Sequence, residues 1–394
     1  MQAIPSKSRV HLLPYARGVI GALSSASTAA RLQTMKTRQL HFIKWCLKMG
    51  LTDPTLEHLD IPQKNFIMAC YAVSLTSNET IFCRVIKAST VNLYLTDAAK
   101  LAIFKNLPDP LKNVLNQKSN YITNVVNEHR RWETMPNRRE PLTFSMVDTG
   151  FLTAYGSTAN KFNDSLDAAL IDWFILAMQA GMRKSEWCQD RYLLQKSGKV
   201  ILNRDGSASA FIFSDFTFEQ SNGYRCNNHR SMHIHSASLV KICWRFQKNG
   251  TNGETLSYMA NFSNPSRCPV QATLRIRARA IRLGVPPHLP IAVFQNSTGS
   301  SQYIDDFHVT HKLQSLARSV YNITTSSDLA RFTTHSLRVG ACVLLHETSQ
   351  TPDFIKARLR WRSDAYLMYL RNTPKLANLH NIAINKSDQI LSDT

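Results

Sequence analysis

The 394-residue sequence lacks several features that would assign it to common classes of protein. No apolar run approaches the roughly 18 residues that a membrane-spanning helix needs, so we expect a chain that does not cross a bilayer. The eight cysteines form no CxxC pair and most lie in apolar stretches, which favours reduced, buried thiols of an intracellular protein. Internal repeats, low-complexity tracts, Gly-rich RGG segments and RNP-like aromatic strands are also missing, which gives no support to an RNA-binding protein.

Acidic residues are scarce. The sequence has 27 Asp and Glu against 47 Lys and Arg, a formal net charge of +20. Such an excess favours a polyanionic partner, with nucleic acid first and an anionic membrane surface second. The first acidic residue is Asp53, and the basic, Ser/Ala-rich opening segment is typical either of a mitochondrial transit peptide or of an arm that lies against phosphates. Because basic residues continue through Lys48, the arm is the preferred interpretation.

The composition predicts an ordered chain with more than one domain. Hydrophobic residues make up 43% and charged residues only 19%, and single cores rarely grow beyond about 300 residues. Apolar residues recur at helical spacing between 34 and 104, interrupted near Gly50, Pro54 and Pro62, and again between 120 and 132. We therefore predict a basic arm over 1–33, a helical domain over 34–138 and a second domain over 139–394.

The second domain mixes helices with a small amount of sheet. An apolar helix is predicted from Asp164 to Gly181, where the glycine suits a helix C-terminus. Strands are predicted over 209–219, 239–247 and 254–259, because these segments are rich in aromatic and β-branched residues and the sequence KNGTNG, 248–253, has hairpin-turn chemistry. The expected fold class is thus mainly α with a small antiparallel β-sheet, α+β overall.

Further helices are predicted toward the C-terminus. The helix over 269–284 carries Arg275, Arg279 and Arg282 on one face, which indicates either a solvated face or DNA contacts, with neither favoured. Two more helices are expected at roughly 308–322 and 336–347, followed by a helical tail after Trp361.

The segment AGMRKSEW, 180–187, holds the first candidate site residues. Arg183 and Glu186 are three apart, so both can project from one face of a helical turn, and the arginine could hold a phosphate oxygen. The same spacing is also common in a purely structural ion pair.

The segment THSLRVGA, 334–341, holds the second pair. His335 and Arg338 would lie on one face of a helix and could reach one phosphate together. Gly340 and Ala341 are small enough to let that helix pack closely. A core histidine with satisfied hydrogen bonds is the alternative interpretation.

Two more segments complete the set. RWRSDAYLMYLR, 360–371, contains Trp361, Tyr366 and Tyr369, and Lys248 lies at the tip of the predicted hairpin. Each could be accidental alone, and Trp361 could be an ordinary core aromatic. The order Arg, Lys, His-x-x-Arg, Trp, Tyr is much harder to obtain by chance.

That order resembles the catalytic set of the tyrosine recombinases, and the resemblance covers roughly residues 140–375, extending more loosely to the helical region before them. The phrases RWETMPNRREPLT, FQKNG and RWRSDAYLMYLR are similar to recombinases of eukaryotic mobile elements. The resemblance implies a helical DNA-binding domain followed by a catalytic domain. It implies seven site residues. Tyr369 is the nucleophile, and Arg183 and Arg338 clamp the phosphate, which His335 and Trp361 position. Lys248 is the general acid, and Glu186 supports Arg183.

Two of these assignments have alternatives. Many family members place the tyrosine nine residues after the His/Trp position, where this sequence has Leu370, whereas Tyr369 lies at eight and Tyr366 at five. The shorter spacing is usual in the eukaryotic-element recombinases, so Tyr369 is chosen and Tyr366 is expected to be a packing aromatic. Lys241 is the alternative to Lys248, but it is expected inside a strand, where its side chain has less freedom.

No metal or other cofactor is expected. A cluster of one cysteine and three histidines, Cys226, His229, His233 and His235, could in principle hold zinc. Its spacing matches no common structural zinc site, and the reaction of the resembled family needs no metal, so a polar hairpin or loop is the favoured interpretation.

The resemblance implies cleavage and rejoining of double-stranded DNA through a 3′-phosphotyrosine intermediate, without metal or ATP, by four protomers on two duplexes. The segment Lys375–Leu391 is then a candidate protomer contact, and a nuclear location is expected, with a mitochondrial one as the alternative. Rival functions are a DNA-binding descendant that no longer cuts, a type IB topoisomerase, which shares this active-site set, and a basic scaffold whose motif order is coincidental.

Overall fold

The computed structural model describes residues 29–77, 86–133, 138–156, 163–197, 200–203, 206–223, 225, 237–247, 250, 252–370 and 378. The chain divides into two compact units, 1–136 and 137–394. Among the described helices, none combines the length and apolar character that crossing a bilayer would require.

The first unit is helical. Its helices are α1 (Ala29–Lys48), α2 (Ile61–Thr76), α3 (Ala88–Ile103) and α4 (Asn120–Arg131). Pro62 lies in the first turn of α2, where a missing N–H costs nothing, and the Asp60 carboxylate caps that helix by accepting from the backbone N–H of Gln63. Phe42, Tyr71 and Leu95 are among the buried side chains that join the four helices in one core.

The second unit is built around a buried helix. Its first helices are α5 (Phe144–Tyr155), α6 (Leu166–Ala180), α7 (Lys184–Trp187) and α8 (Arg191–Ser197). Nearly every side chain of α6 is buried, and α6 packs against α5 and three later helices. Its sequence is apolar on all sides, as the central position demands. The predicted glycine end is confirmed: Gly181 adopts the left-handed conformation, with φ 56°.

The expected antiparallel sheet is present. Its strands β1 (Phe216–Glu219), β2 (Leu239–Trp244) and β3 (Glu254–Met259) run in the order β1-β2-β3, all antiparallel. The predicted strand over 209–219 is wrong in its first half, where a short 3₁₀ turn, Phe213–Asp215, precedes β1. The turn forms there because the Asp215 carboxylate accepts a hydrogen bond from the backbone N–H of Ile212, three residues earlier, which stabilises a turn instead of a strand.

Helix α9 (Pro269–Arg282) contradicts both interpretations for Arg275 and Arg279. Arg275 and Arg279 are 7% and 1% exposed, and their guanidinium groups donate to the two carboxylate oxygens of Asp172 on α6, at 2.6 and 2.7 Å. Arg282 pairs with Asp164. The two buried arginines are therefore committed to an acidic partner within the unit, because a buried charge must be paired, whereas Arg282 lies at the surface, as the solvated-face interpretation has it.

The remaining elements are β4 (Val293–Gln295), β5 (Ser301–Tyr303), α10 (Asp306–Tyr321), α11 (Ser326–Leu329), α12 (Ser336–Glu347), α13 (Pro352–Leu359) and α14 (Leu367–Leu370). The β4–β5 hairpin was not expected from the sequence, and α10 begins two residues earlier than predicted because Asp305 caps it. A 3₁₀ turn, Asp364–Tyr366, leads into α14. The predicted protomer contact, Lys375–Leu391, lies outside the described residues apart from residue 378.

Candidate active site

The end of α6 places the first predicted pair. After the left-handed turn at Gly181, Arg183 directly precedes α7. Its Nη1 donates to Glu186 Oε1 at 3.0 Å, and its backbone N–H donates to Oε2 at 2.9 Å. The arginine side chain is 24% exposed and that of Glu186 only 5% exposed. A buried carboxylate therefore holds a guanidinium group that reaches the surface.

Arg338 lies in the first turn of α12 and is buried. Nη1 donates to the carbonyl of Gly181 at 2.6 Å and Nη2 to that of Leu359 at 2.9 Å. A guanidinium has five N–H donors, so three remain for a ligand. Burial, with Arg183 and Arg360 nearby, lowers the pKa of Arg338 to about 9. Burial is the larger cause of that shift, and repulsion from the two neighbouring arginines adds to it, so a bound anion would stabilise the charged form of Arg338.

Close packing of α12 fixes where Arg338 lies. Gly340, two residues along, has no room for a side chain: a Cβ there would overlap the carbonyl oxygen of Leu142 and come within 3.0 Å of Met178 Sδ. The expectation that small residues allow a close approach is confirmed at this position. The backbone of α12 is thereby held against α6, beside the turn that carries Arg183.

The hydroxyl of Tyr369 lies 2.7 Å from His335 Nε2, and the two rings meet edge to face. Partial burial, with Arg338 and Arg139 nearby, lowers the pKa of His335, while burial raises the pKa of Tyr369. At neutral pH the imidazole is therefore uncharged and the phenol protonated. In those states the imidazole can accept the phenolic proton.

Trp361 lies between the arginine and the tyrosine. The guanidinium of Arg338 lies 4.3 Å from the centre of its ring, and the ring of Tyr369 lies 5.7 Å away. The buried Nε1 of Trp361 has no hydrogen-bond partner within the described part of the chain. A buried donor without a partner is costly, so an acceptor that reached this N–H would stabilise the site.

The alternative tyrosine has a different environment. Tyr366 is 2% exposed and packs with Cys342, Ile355 and Leu359 in a small core under α12 and α13. Its side chain is enclosed, whereas Tyr369 is half-buried with its hydroxyl beside His335.

Neither lysine can be placed in the site by the structure. Lys248, with Asn249, lies outside the described residues, although the hairpin that it belongs to is described up to Gln247 and from residue 252 onward. Lys241 lies on β2 and forms an ion pair with Glu219 of β1, with 2.7 Å between Nζ and Oε1. A charge already committed to a carboxylate makes Lys241 the weaker candidate.

The Cys/His cluster, from Cys226 to His235, also lies outside the described residues. Within the described ranges there is no group of three or more His, Cys, Asp or Glu side chains that could hold a metal ion.

Arg360 is a site residue that the sequence did not reveal. Its side chain is fully buried, and Nη2 donates to Glu186 Oε2 at 3.0 Å. Glu186 is 174 residues away in the sequence, so no local pattern could have indicated the contact. Arg360 therefore lies behind the two predicted arginines and bonds the same carboxylate as Arg183.

Comparison with known proteins gives distant likenesses only. No family model matches the chain, and no curated protein matches it. Among solved structures it is similar to the XerH site-specific recombinase bound to its difH substrate, with 12% identity and a TM-score of 0.45, over 87% of this chain and 76% of that one. It is also similar to the Tn1549 transposon integrase in complex with transposon right-end DNA, with 13% identity and a TM-score of 0.42, over 80% of this chain and 84% of that one. Both neighbours are tyrosine recombinases.

Proposed function

We propose that this chain is a tyrosine recombinase, which cleaves and rejoins double-stranded DNA through a covalent 3′-phosphotyrosine bond. The observation that carries the proposal is the Tyr369 hydroxyl, which lies 2.7 Å from the His335 imidazole, whose pKa is lowered, and close to Arg338. A nucleophile, a proton acceptor and a cation for the phosphate are the three components that metal-free phosphodiester cleavage requires on the attacking side.

In the proposed reaction, the oxygen of Tyr369 attacks the scissile phosphorus as its proton passes to His335 Nε2. The bond to the 5′ oxygen breaks, and that oxygen leaves with a proton as a 5′ hydroxyl. The phosphotyrosine bond preserves the energy of the broken linkage, so a 5′ hydroxyl of a second strand can reverse the step without ATP. The product of two such exchanges is rearranged DNA.

The arginines would stabilise the charge that develops on the non-bridging oxygens. Arg338 retains three donors after its two carbonyl bonds, and Arg183 reaches the surface from Glu186. The unpartnered Nε1 of Trp361 would add a further donor. Planar guanidinium groups match phosphate geometry better than ammonium groups do.

Lys248 remains the proposed general acid for the leaving 5′ oxygen. It directly follows Gln247, which lies three residues after the end of β2. A substrate with sulfur at the 5′ bridging position tests this role, because a thiolate leaves without a proton. Lys248→Ala should cleave normal DNA slowly and the sulfur substrate at nearly the wild-type rate, whereas equal losses on both would reject the role.

The proposed partner is double-stranded DNA, because a net charge of +20 favours binding to a polyanion. The proposed active assembly is a homotetramer on two duplexes, and the proposed location is the nucleus. Sedimentation of the protein with and without a paired-site DNA would test the assembly. A monomer that relaxes supercoiled plasmid would instead indicate a topoisomerase.

The central experiment traps the covalent intermediate. The protein is incubated, with metal chelated, with nicked duplexes drawn from the DNA that flanks its gene, so that the short cleaved strand diffuses away and resealing is prevented. Wild type is compared with Tyr369→Phe and with Tyr366→Phe, a matched control that removes a hydroxyl from the adjacent core.

An adduct that survives denaturation and is lost only in Tyr369→Phe would support the proposal. Loss only in Tyr366→Phe would move the nucleophile. Tight DNA binding without any adduct would instead indicate a protein that binds DNA without cutting it.

A further inference from the structure

The backbone at Arg360 is unusual. This residue ends α13 in the left-handed conformation, with φ 56° and ψ 48°. Glycine usually occupies such a helix end because a side chain makes the conformation unfavourable. Strained positions of this kind persist where surrounding contacts fix them, and they concentrate at functional sites. The contacts of the Arg360 side chain should therefore explain its presence.

Three consecutive residues at this turn contact the proposed site. The carbonyl of Leu359 accepts from Arg338 Nη2, and the ring of Trp361 lies against the same guanidinium. Arg360, between them, points the other way and reaches Glu186. The left-handed turn thus serves both arginines of the clamp from a single point in the chain.

The guanidinium of Arg360 is enclosed on all sides. Besides Glu186, it donates to the carbonyl of Ala180 at 2.9 Å and to Gln247 Oε1 at 3.2 Å, and it stacks on Trp244 at 3.7 Å from the ring centre. Its side chain has 0% exposure, so it has no direct access to DNA. Any effect on the reaction must pass through a residue that it holds.

Glu186 is the residue best suited to transmit that effect. One carboxylate oxygen accepts from the Arg183 side chain, and the other accepts from Arg360 and from Trp244 Nε1, the latter at 3.2 Å. Two rigid partners on the buried side fix the plane of the carboxylate. The exposed side then presents Arg183 in one orientation only.

We propose that Arg360 is a positioning residue that pins Glu186 and thereby aims Arg183 at the scissile phosphate. This inference rests on the proposed function. The chain offers one competing route, through Gln247 to the hairpin that carries Lys248, and the two routes predict different chemistry. The first acts on the non-bridging oxygens of the phosphate and the second on the leaving group.

The test compares Arg360→Gly with wild type on three nicked duplexes that differ only at the scissile position. One has a normal phosphate, one a methylphosphonate, whose neutral methyl group removes the charge that the clamp must stabilise, and one a 5′ bridging sulfur. Glycine accepts the left-handed backbone and so protects folding. Arg358→Lys is the control, because Arg358 also bonds a carbonyl, that of Ser257, and also faces an aromatic ring, that of Tyr258.

On the normal phosphate, Arg360→Gly should slow single-turnover cleavage about 10- to 100-fold, the usual effect of losing a supporting residue, with DNA affinity within about 2-fold of wild type. The fold reduction in cleavage rate, relative to wild type, should be smaller on the methylphosphonate substrate and unchanged on the sulfur substrate. Arg360→Lys should restore little, because an ammonium group cannot reach Glu186, Ala180 and Gln247 from one plane.

Other outcomes overturn the inference. If the cleavage rate of Arg360→Gly returned to the wild-type rate on the sulfur substrate alone, Arg360 would act through the hairpin. Equal losses on all three substrates would show a purely structural role. Absence of any wild-type adduct would instead reject the proposed function itself, and this role with it.

Discussion

Replacing Arg338 by lysine should abolish most cleavage while leaving the charge in place. The guanidinium makes two short bonds, to the carbonyls of Gly181 and Leu359, and lies against Trp361. The two carbonyls are bonded by separate nitrogens of the planar guanidinium, and its central carbon lies over the indole ring. A lysine has three donors on one atom and no plane, so it cannot satisfy both carbonyls and also face a phosphate.

The magnitude follows from those contacts. A hydrogen bond from a charged group contributes about 1.5–3 kcal/mol, and we expect lysine to lose one of the two carbonyl bonds. A lost ring contact adds about 0.5–2 kcal/mol. The folded state should therefore be destabilised by about 2–5 kcal/mol. Cleavage should fall further, by about 100- to 1,000-fold, the usual effect of removing one donor from a site that stabilises transition-state charge.

The assay is single-turnover adduct formation on a saturating nicked substrate, together with DNA affinity and a denaturant unfolding curve. Arg358→Lys is the matched control, because it loses a carbonyl bond and a ring contact of the same kind outside the site. We expect the control to lose stability without a comparable loss of cleavage rate.

A result in which Arg338→Lys cleaves within about 3-fold of wild type would refute the reasoning, since such a change corresponds to less than about 1 kcal/mol of transition-state stabilisation. Equal losses of rate in both lysine variants would also refute it, because the effect would then follow from destabilisation alone.

Three further predictions follow from the same contacts. Because the pKa of His335 lies below its ordinary 6.5 and the neutral imidazole is the active form, the rate of adduct formation should rise with pH through a midpoint below 6.5, and a midpoint above 6.5 would contradict this. Gly340→Ala should destabilise the protein by about 1–3 kcal/mol in denaturant unfolding, because the new Cβ meets the carbonyl of Leu142, whereas an unchanged midpoint would show that α12 can shift. Asp172→Ala should cost about 3–5 kcal/mol by the same measurement, because it leaves Arg275 buried without its carboxylate, and a loss below about 1 kcal/mol would argue against that pair.

Local patterns were informative where the structure depends on neighbours in the sequence. The α6 helix ends at Gly181 as its glycine predicts, and β3 has the predicted bounds because it directly follows a hairpin turn. The two-residue errors at other helix ends come from caps such as Asp305, whose carboxylate begins α10 early. Strands of three residues, as in β4 and β5, carry too little periodicity to be recognised.

The arginines of α9 show where sequence reasoning fails. Spacing alone placed Arg275 and Arg279 on one face, and that face could have been solvated or could have contacted DNA. Their partner, Asp172, lies more than a hundred residues earlier, so no local pattern indicated that the face is buried. Burial of charge is decided by which segments pack together, and a linear pattern does not contain that information.

By itself the sequence determined which reactive groups are available and how they are spaced within segments. His335 and Arg338 share a helical face because three residues make nearly one turn, and Arg183 stands one turn from Glu186 for the same reason. Only the tertiary structure decided which segments meet. It encloses Tyr366 in a core and sets the Tyr369 hydroxyl beside His335. It also brings Arg360 to Glu186 across 174 residues, because α12 packs on α6 and α13 packs on α12, and the buried charges are paired where these helices meet.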